Sequence, residues 1–230
     1  MSTPAGMPEG PSAGPALPVA RRSPDAGFRF PVGPLLLLGL LLVAVAAGVL
    51  LLLRPHLEVT NALAAPIQLV VADAPPRTLA PGQTIRMSVA RGATLVAQWQ
   101  LVRPLSADGQ PMGEEVRGST VLPRPSGTAV VRATARSADG AYFAPLITNA
   151  SQRPLRVTVN AGLAGARDCG CAVRPGTRRV FIGYYRLFRN STVEASGGAA
   201  GRARFRDLSP QVTAGDGTVG LRFEERDLRP

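Results

Sequence analysis

Nineteen consecutive residues, Leu35 to Leu53, carry neither a charge nor a polar side chain: LLLLGLLLVAVAAGVLLLL. As an α-helix rising about 1.5 Å per residue, the run extends about 28 Å, close to the hydrocarbon thickness of a bilayer. A helix lying on a soluble core keeps a polar stripe on one side, and this run has none. It therefore predicts a transmembrane helix over residues 34–54. A removed signal peptide fits less well. The apolar stretch continues through Gly48 to Leu53, and Arg54, Pro55 and His56 follow it in place of a small-residue cleavage site. No Cys stands directly after the run, which excludes a lipoprotein anchor.

Flanking charge sets the expected orientation. Arg21, Arg22 and Arg29 precede the run, and only Arg54 follows closely. Basic residues stay on the cytoplasmic side, which places the N-terminus in the cytoplasm and the larger C-terminal part in the periplasm. The bacterial inner membrane enters through composition: all 26 basic residues are Arg, and 25 Gly and 22 Pro accompany them, as high-GC coding produces. Gly39, Ala44 and Gly48 are small residues near one-turn spacing, the pattern that lets a second membrane helix approach closely.

Residues 1–33 hold seven Pro and five Gly without apolar periodicity. Such an arm buries too little surface to fold alone and orders only against a partner.

Beyond Pro55 the period becomes two. Ile85, Met87 and Val89 alternate with polar neighbours, and so do Leu95, Ala97, Trp99 and Leu101, which predicts half-buried strands. An internal repeat organises them. Val59 to Val71 reads VTNALAAPIQLVV and Ile147 to Val159 reads ITNASQRPLRVTV, with five of 13 positions identical. Segments around Pro81-Gly82 and Pro175-Gly176 also match, as do those starting at Gly127 and Gly217. The expected architecture is mainly β: two copies of one unit, residues 55–140 and 141–230, each an immunoglobulin-like sandwich of about seven short strands. The inter-sheet Cys pair of antibody domains is missing.

Val180 to Phe188, VFIGYYRLF, is apolar on both faces. It is either central in its own sandwich or covered by another chain. In the second case Tyr184 and Tyr185 form an aromatic interface centre, rimmed by Arg178, Arg179, Arg186 and Arg189. Charge points to the same half. Residues 142–230 carry 14 Arg against 7 acids, a net of +7, while residues 54–141 carry 9 against 6, a net of +3. A cationic surface of this kind docks onto acidic proteins or anionic lipid head groups. Nucleic acid is not expected for a domain outside the cytoplasm.

The residue inventory argues against an enzyme. The single His, His56, stands directly after the apolar run, so neither a Ser-His-Asp triad nor a His-rich metal site can be assembled around it. There is no glycine-rich phosphate loop. Cys169-Gly170-Cys171 lies in the six-residue insertion that distinguishes the second copy from the first. Three readings compete: a local disulfide, two free thiols, or a two-thiolate site for Cu(I). At this Cys-Gly-Cys the chain resembles the copper chaperones that assemble cytochrome oxidase, although Gly170 and Ala172 stand where those carry aromatic residues. The resemblance implies a periplasmic metallochaperone binding copper through Cys169 and Cys171. In layout the chain is similar to the single-span accessory subunits of bacterial photosynthetic reaction-centre and light-harvesting assemblies. That likeness implies a non-enzymatic subunit docked on an integral membrane complex; an envelope or cell-division adaptor has the same layout.

Overall fold

The structure, a computed structural model, describes residues 32–52, 54–72, 74–90, 92, 94–123 and 127–229. The Pro/Gly-rich arm lies outside the described residues except for positions 32 and 33, and so do Arg21, Arg22 and Arg29. The chain divides into two units, Met1–Val49 and Leu50–Pro230.

The α-helix α1 (Val32–Leu52) belongs for most of its length to the first unit. Here the expected membrane anchor is corrected. Among the described residues no helix is long and apolar enough to cross a membrane. With the span go the single-span membrane association, the inner-membrane location and its cytoplasmic and periplasmic sides. The reaction-centre setting and the lipid partners go with them. Gly39, Ala44 and Gly48 lie on α1, and a Cβ built on Gly39 or Gly48 would meet nothing within 4 Å.

The second unit is mainly β. Its first half contains β1 (His56–Asn61), β2 (Ile67–Val71), β3 (Arg77–Leu79), β4 (Thr84–Ser88), β5 (Leu95–Leu101), β6 (Arg117–Leu122) and β7 (Thr128–Ala133). One sheet has the order β4-β1-β7, with β1 antiparallel to β4 and parallel to β7; the other has the order β3-β2-β5-β6. Leu57, Val59 and Val131 of the first sheet meet Ile67, Leu69 and Trp99 of the second in one buried cluster. On β5 burial alternates as a period of two requires, with Leu95, Ala97, Trp99 and Leu101 inside. On β4, an edge strand, Ile85 and Met87 are only partly buried, because one flank of that strand has no neighbour to cover it.

The second half contains β8 (Arg136–Ser137), β9 (Gly140–Asn149), β10 (Leu155–Val159), β11 (Arg167–Val173), β12 (Val180–Phe181), β13 (Tyr185–Arg186), β14 (Val193–Ser196), β15 (Arg202–Phe205) and β16 (Thr218–Phe223). The pairing of the first half returns. β9 is antiparallel to β12 and parallel to β16, as β1 is to β4 and β7. The order β11-β10-β14-β15 reproduces β3-β2-β5-β6. A second buried cluster joins Phe143, Ile147 and Phe223 to Leu155, Val157 and Val193.

The repeated Thr-Asn-Ala marks one device used twice. Asn61 is fully buried at the end of β1. Its Nδ2 donates to the carbonyls of Ala65, Leu79 and Ala80 at 2.9 to 3.1 Å, and its Oδ1 accepts the Leu63 N–H at 3.0 Å. Asn149 ends the corresponding part of β9. It donates to the carbonyls of Arg153 and Val173 and accepts from the N–H and hydroxyl of Ser151. Each Asn also accepts, at its backbone carbonyl, the N–H of a turn glycine, Gly82 or Gly176. A buried amide satisfied on both sides fixes how the chain leaves the first strand and where the third one lies.

The doubly apolar stretch resolves in a way that neither sequence alternative describes. It is not one strand: β12 and β13 are separated by residues 182–184. Tyr184 belongs to the first core and Tyr185 to the second. Its two faces are thus covered by the two sandwiches of the same chain. Tyr142 and Ala144 of β9 likewise reach the first core, while Phe143 reaches the second. Gly113 and Gly183 meet where these parts touch: a Cβ on either would lie 2.8 Å from backbone atoms of the other segment. Both have positive φ, 76° and 104°. Only glycine supplies that conformation and that closeness together.

Candidate functional site

The candidate site is built from the edge strands of the second sandwich. β15 closes one end of its sheet, and β16 lies at the margin of the other. In Arg202-Ala203-Arg204-Phe205-Arg206 a period of two sends Ala203 and Phe205 inward and leaves the three arginines exposed. In β16, Leu221 and Phe223 are buried and Arg222 is exposed. Phe205 and Phe223 meet edge to face, with ring centroids 5.0 Å apart, and plug the core between the two edges. Above them opens a concavity of about 610 Å³ lined by six arginines, Arg202, Arg204, Arg206, Arg222, Arg226 and Arg229, against two acids, Glu224 and Asp227.

Ion pairs hold part of this array. Glu194 on β14, largely covered, takes both Arg202 and Arg204. Glu224 takes Arg222 and Arg226, each at 2.9 Å. The Arg222 hydrogen bond, followed by the charge of Arg226, holds the Glu224 carboxyl below the ordinary carboxylate range. Glu224 and Asp227 also cap the short turn Glu225–Asp227, which orients Arg226. Among the described residues Arg206 and Arg229 have no ion pair. The site therefore keeps a net positive charge after its own carboxylates are counted. A guanidinium offers five donors in a planar fork and does not titrate near neutral pH, so the chemistry of the lining suits anionic groups rather than proton transfer. The depression beside the Cys pair differs, since Arg103 and Arg167 there face Glu114, Glu115 and Asp168.

The residues singled out in the sequence are dispersed. Tyr184 and Tyr185 are 0% and 1% exposed, so neither forms an interface centre. The Tyr184 hydroxyl accepts the Ala64 N–H at 2.9 Å and donates to the Asp216 carbonyl; Tyr185 donates to the Ile182 carbonyl. Arg186 serves the junction, its backbone N–H on Glu114 and its guanidinium on the Asp139 carbonyl. Arg178 and Arg189 are exposed. Arg179 lies beside β16, its guanidinium 3.7 Å from where a Cβ on Gly220 would stand, but it does not line the arginine opening. The signal that marks the observed cluster is Arg at alternate positions, 202, 204 and 206, on a strand.

Cys169 and Cys171 are joined in a disulfide. Between Arg156 and Thr158 β10 advances two residues while β11 passes from Ala172 to Asp168, so the Cys-Gly-Cys forms a bulge. Gly170, at φ +62°, makes the turn, and its N–H donates to the Asp168 carboxylate. Neither sulfur is a thiolate in this state, so Cu(I) ligation would first require reduction.

Compared with known proteins, the chain matches no family model and no curated sequence.

Proposed function

We propose that this chain is a non-enzymatic accessory subunit that docks onto a multi-subunit protein complex and stabilises it, with the second sandwich making the main contact. The observation that carries the reading is the arginine-lined opening between β15 and β16. It is exposed, cationic beyond the reach of its own acids, and fixed to rigid strands. Rim charges of this type accelerate encounter with an acidic surface and make association salt-dependent. The test is gentle extraction from the native source and fractionation by size. The chain is expected to travel with larger partners and to leave them as salt is raised. A chain that runs only as a free monomer at low salt refutes the reading.

A further inference from the structure

The open edge of β15 suggests a specific mode of engagement, which rests on the docking reading above. Among the named strands β15 pairs with β14 alone. On its other side Arg202 and Arg229 exchange two backbone hydrogen bonds, Arg202 N–H to Arg229 carbonyl at 2.8 Å and the reverse at 3.1 Å. Arg229 thus already adds to this edge at one position, and the residues before it turn away, the Asp227 N–H bonding the Glu224 carbonyl in place of Arg204. In an antiparallel ladder outward-facing residues alternate, so the N–H and C=O of Arg204 also face outward. The exposed arginines at 202, 204 and 206 repeat about every 6.7 Å, the spacing of same-face side chains on a neighbouring strand.

We infer that an extended acidic segment of a partner protein adds as a strand to the β15 edge beyond the Arg202–Arg229 pair, opposite Arg204 and Arg206, with its alternate Asp or Glu side chains on the arginine face. Main-chain bonds supply binding and the arginines supply selectivity, as in strand addition generally. A polypeptide fits this edge better than a nucleic acid. The edge presents donors and acceptors in alternation, and a phosphodiester backbone has acceptors only. The arginines also serve the free protein, since edge charges deter pairing between copies of the same strand.

The test uses the full chain and a fluorescein-labelled peptide of alternating Glu and Val. A second peptide is N-methylated at alternate residues, and an oligouridylate is the third probe. The Glu-Val peptide should bind best at low salt. Arg206→Glu combined with Arg229→Glu should weaken it on the order of tenfold or more, as loss and reversal of two rim charges imply. The unfolding midpoint of that variant should stay unchanged, because neither residue holds an ion pair among the described residues. N-methylation should weaken binding as strongly while leaving the peptide charge intact. The inference is overturned if the Glu-Val peptide does not bind, if the N-methylated peptide binds equally well, or if the oligouridylate binds more tightly. It is also overturned if the double variant binds the peptide like the parent. Co-fractionation of the double variant with the native complex separates the two readings. Retained assembly would leave the accessory role standing and remove this edge from it, while peptide binding by a chain that never co-fractionates would do the reverse.

Discussion

Replacing Asn61 by Ala removes a side chain that is fully buried and makes four hydrogen bonds. The Leu63 N–H would lose its acceptor, and the carbonyls of Ala65, Leu79 and Ala80 would lose a donor. A buried donor left unsatisfied costs about 1–3 kcal/mol, and each weakened carbonyl adds a fraction of that, so a loss of about 3–5 kcal/mol is expected. Asn61→Asp should cost more, since it aims a carboxylate at three carbonyl oxygens instead of an amide NH2. The assay is urea unfolding followed by the fluorescence of Trp99, the single Trp, which is buried in the first core next to this motif's sheets. Exposed Asn190→Ala is the control and should stay within about 0.5 kcal/mol of the parent. If Asn61→Ala costs less than about 1 kcal/mol, the amide does not organise the turn and the account of the repeated motif is wrong.

Gly118→Ala should destabilise by about 1–3 kcal/mol through overpacking. The added Cβ would stand 2.5 Å from the Trp99 ring, and an unchanged urea midpoint would show that the ring has room to move. Alkaline pH should unfold the protein through Tyr184 and Tyr185. Burial, the largest cause for both, raises their phenol pKa values above the ordinary one. The unfolded chain then loses these protons first, so stability is complete below about pH 10 and falls as pH rises above it. Urea midpoints measured across that range should show the decline, with a shallower slope in Tyr184→Phe; a flat profile would contradict the burial of the pair.

The strands and their duplication were legible because they depend on short-range order. Alternation over Leu95 to Leu101 already assigns the inward face of β5. The matching Thr-Asn-Ala segments announce two equivalent strand ends, and Asn61 and Asn149 occupy them with the same hydrogen-bonding role. The apolarity of Leu35 to Leu53 was equally plain, but among the described residues no helix is long and apolar enough to cross a membrane. The doubly apolar stretch could not be resolved from its own composition. Tyr184 and Tyr185 are adjacent in the chain yet enter different cores, because the two sandwiches meet at Gly113 and Gly183. The arginine site lay beyond sequence reading for a related reason. Arg202 and Arg226 come together only because β15 and β16 sit at the margins of two facing sheets. Local periodicity decides which way a side chain points from its own strand; which distant side chains it meets there is decided by how the sheets pack, and that is a property of the tertiary structure alone.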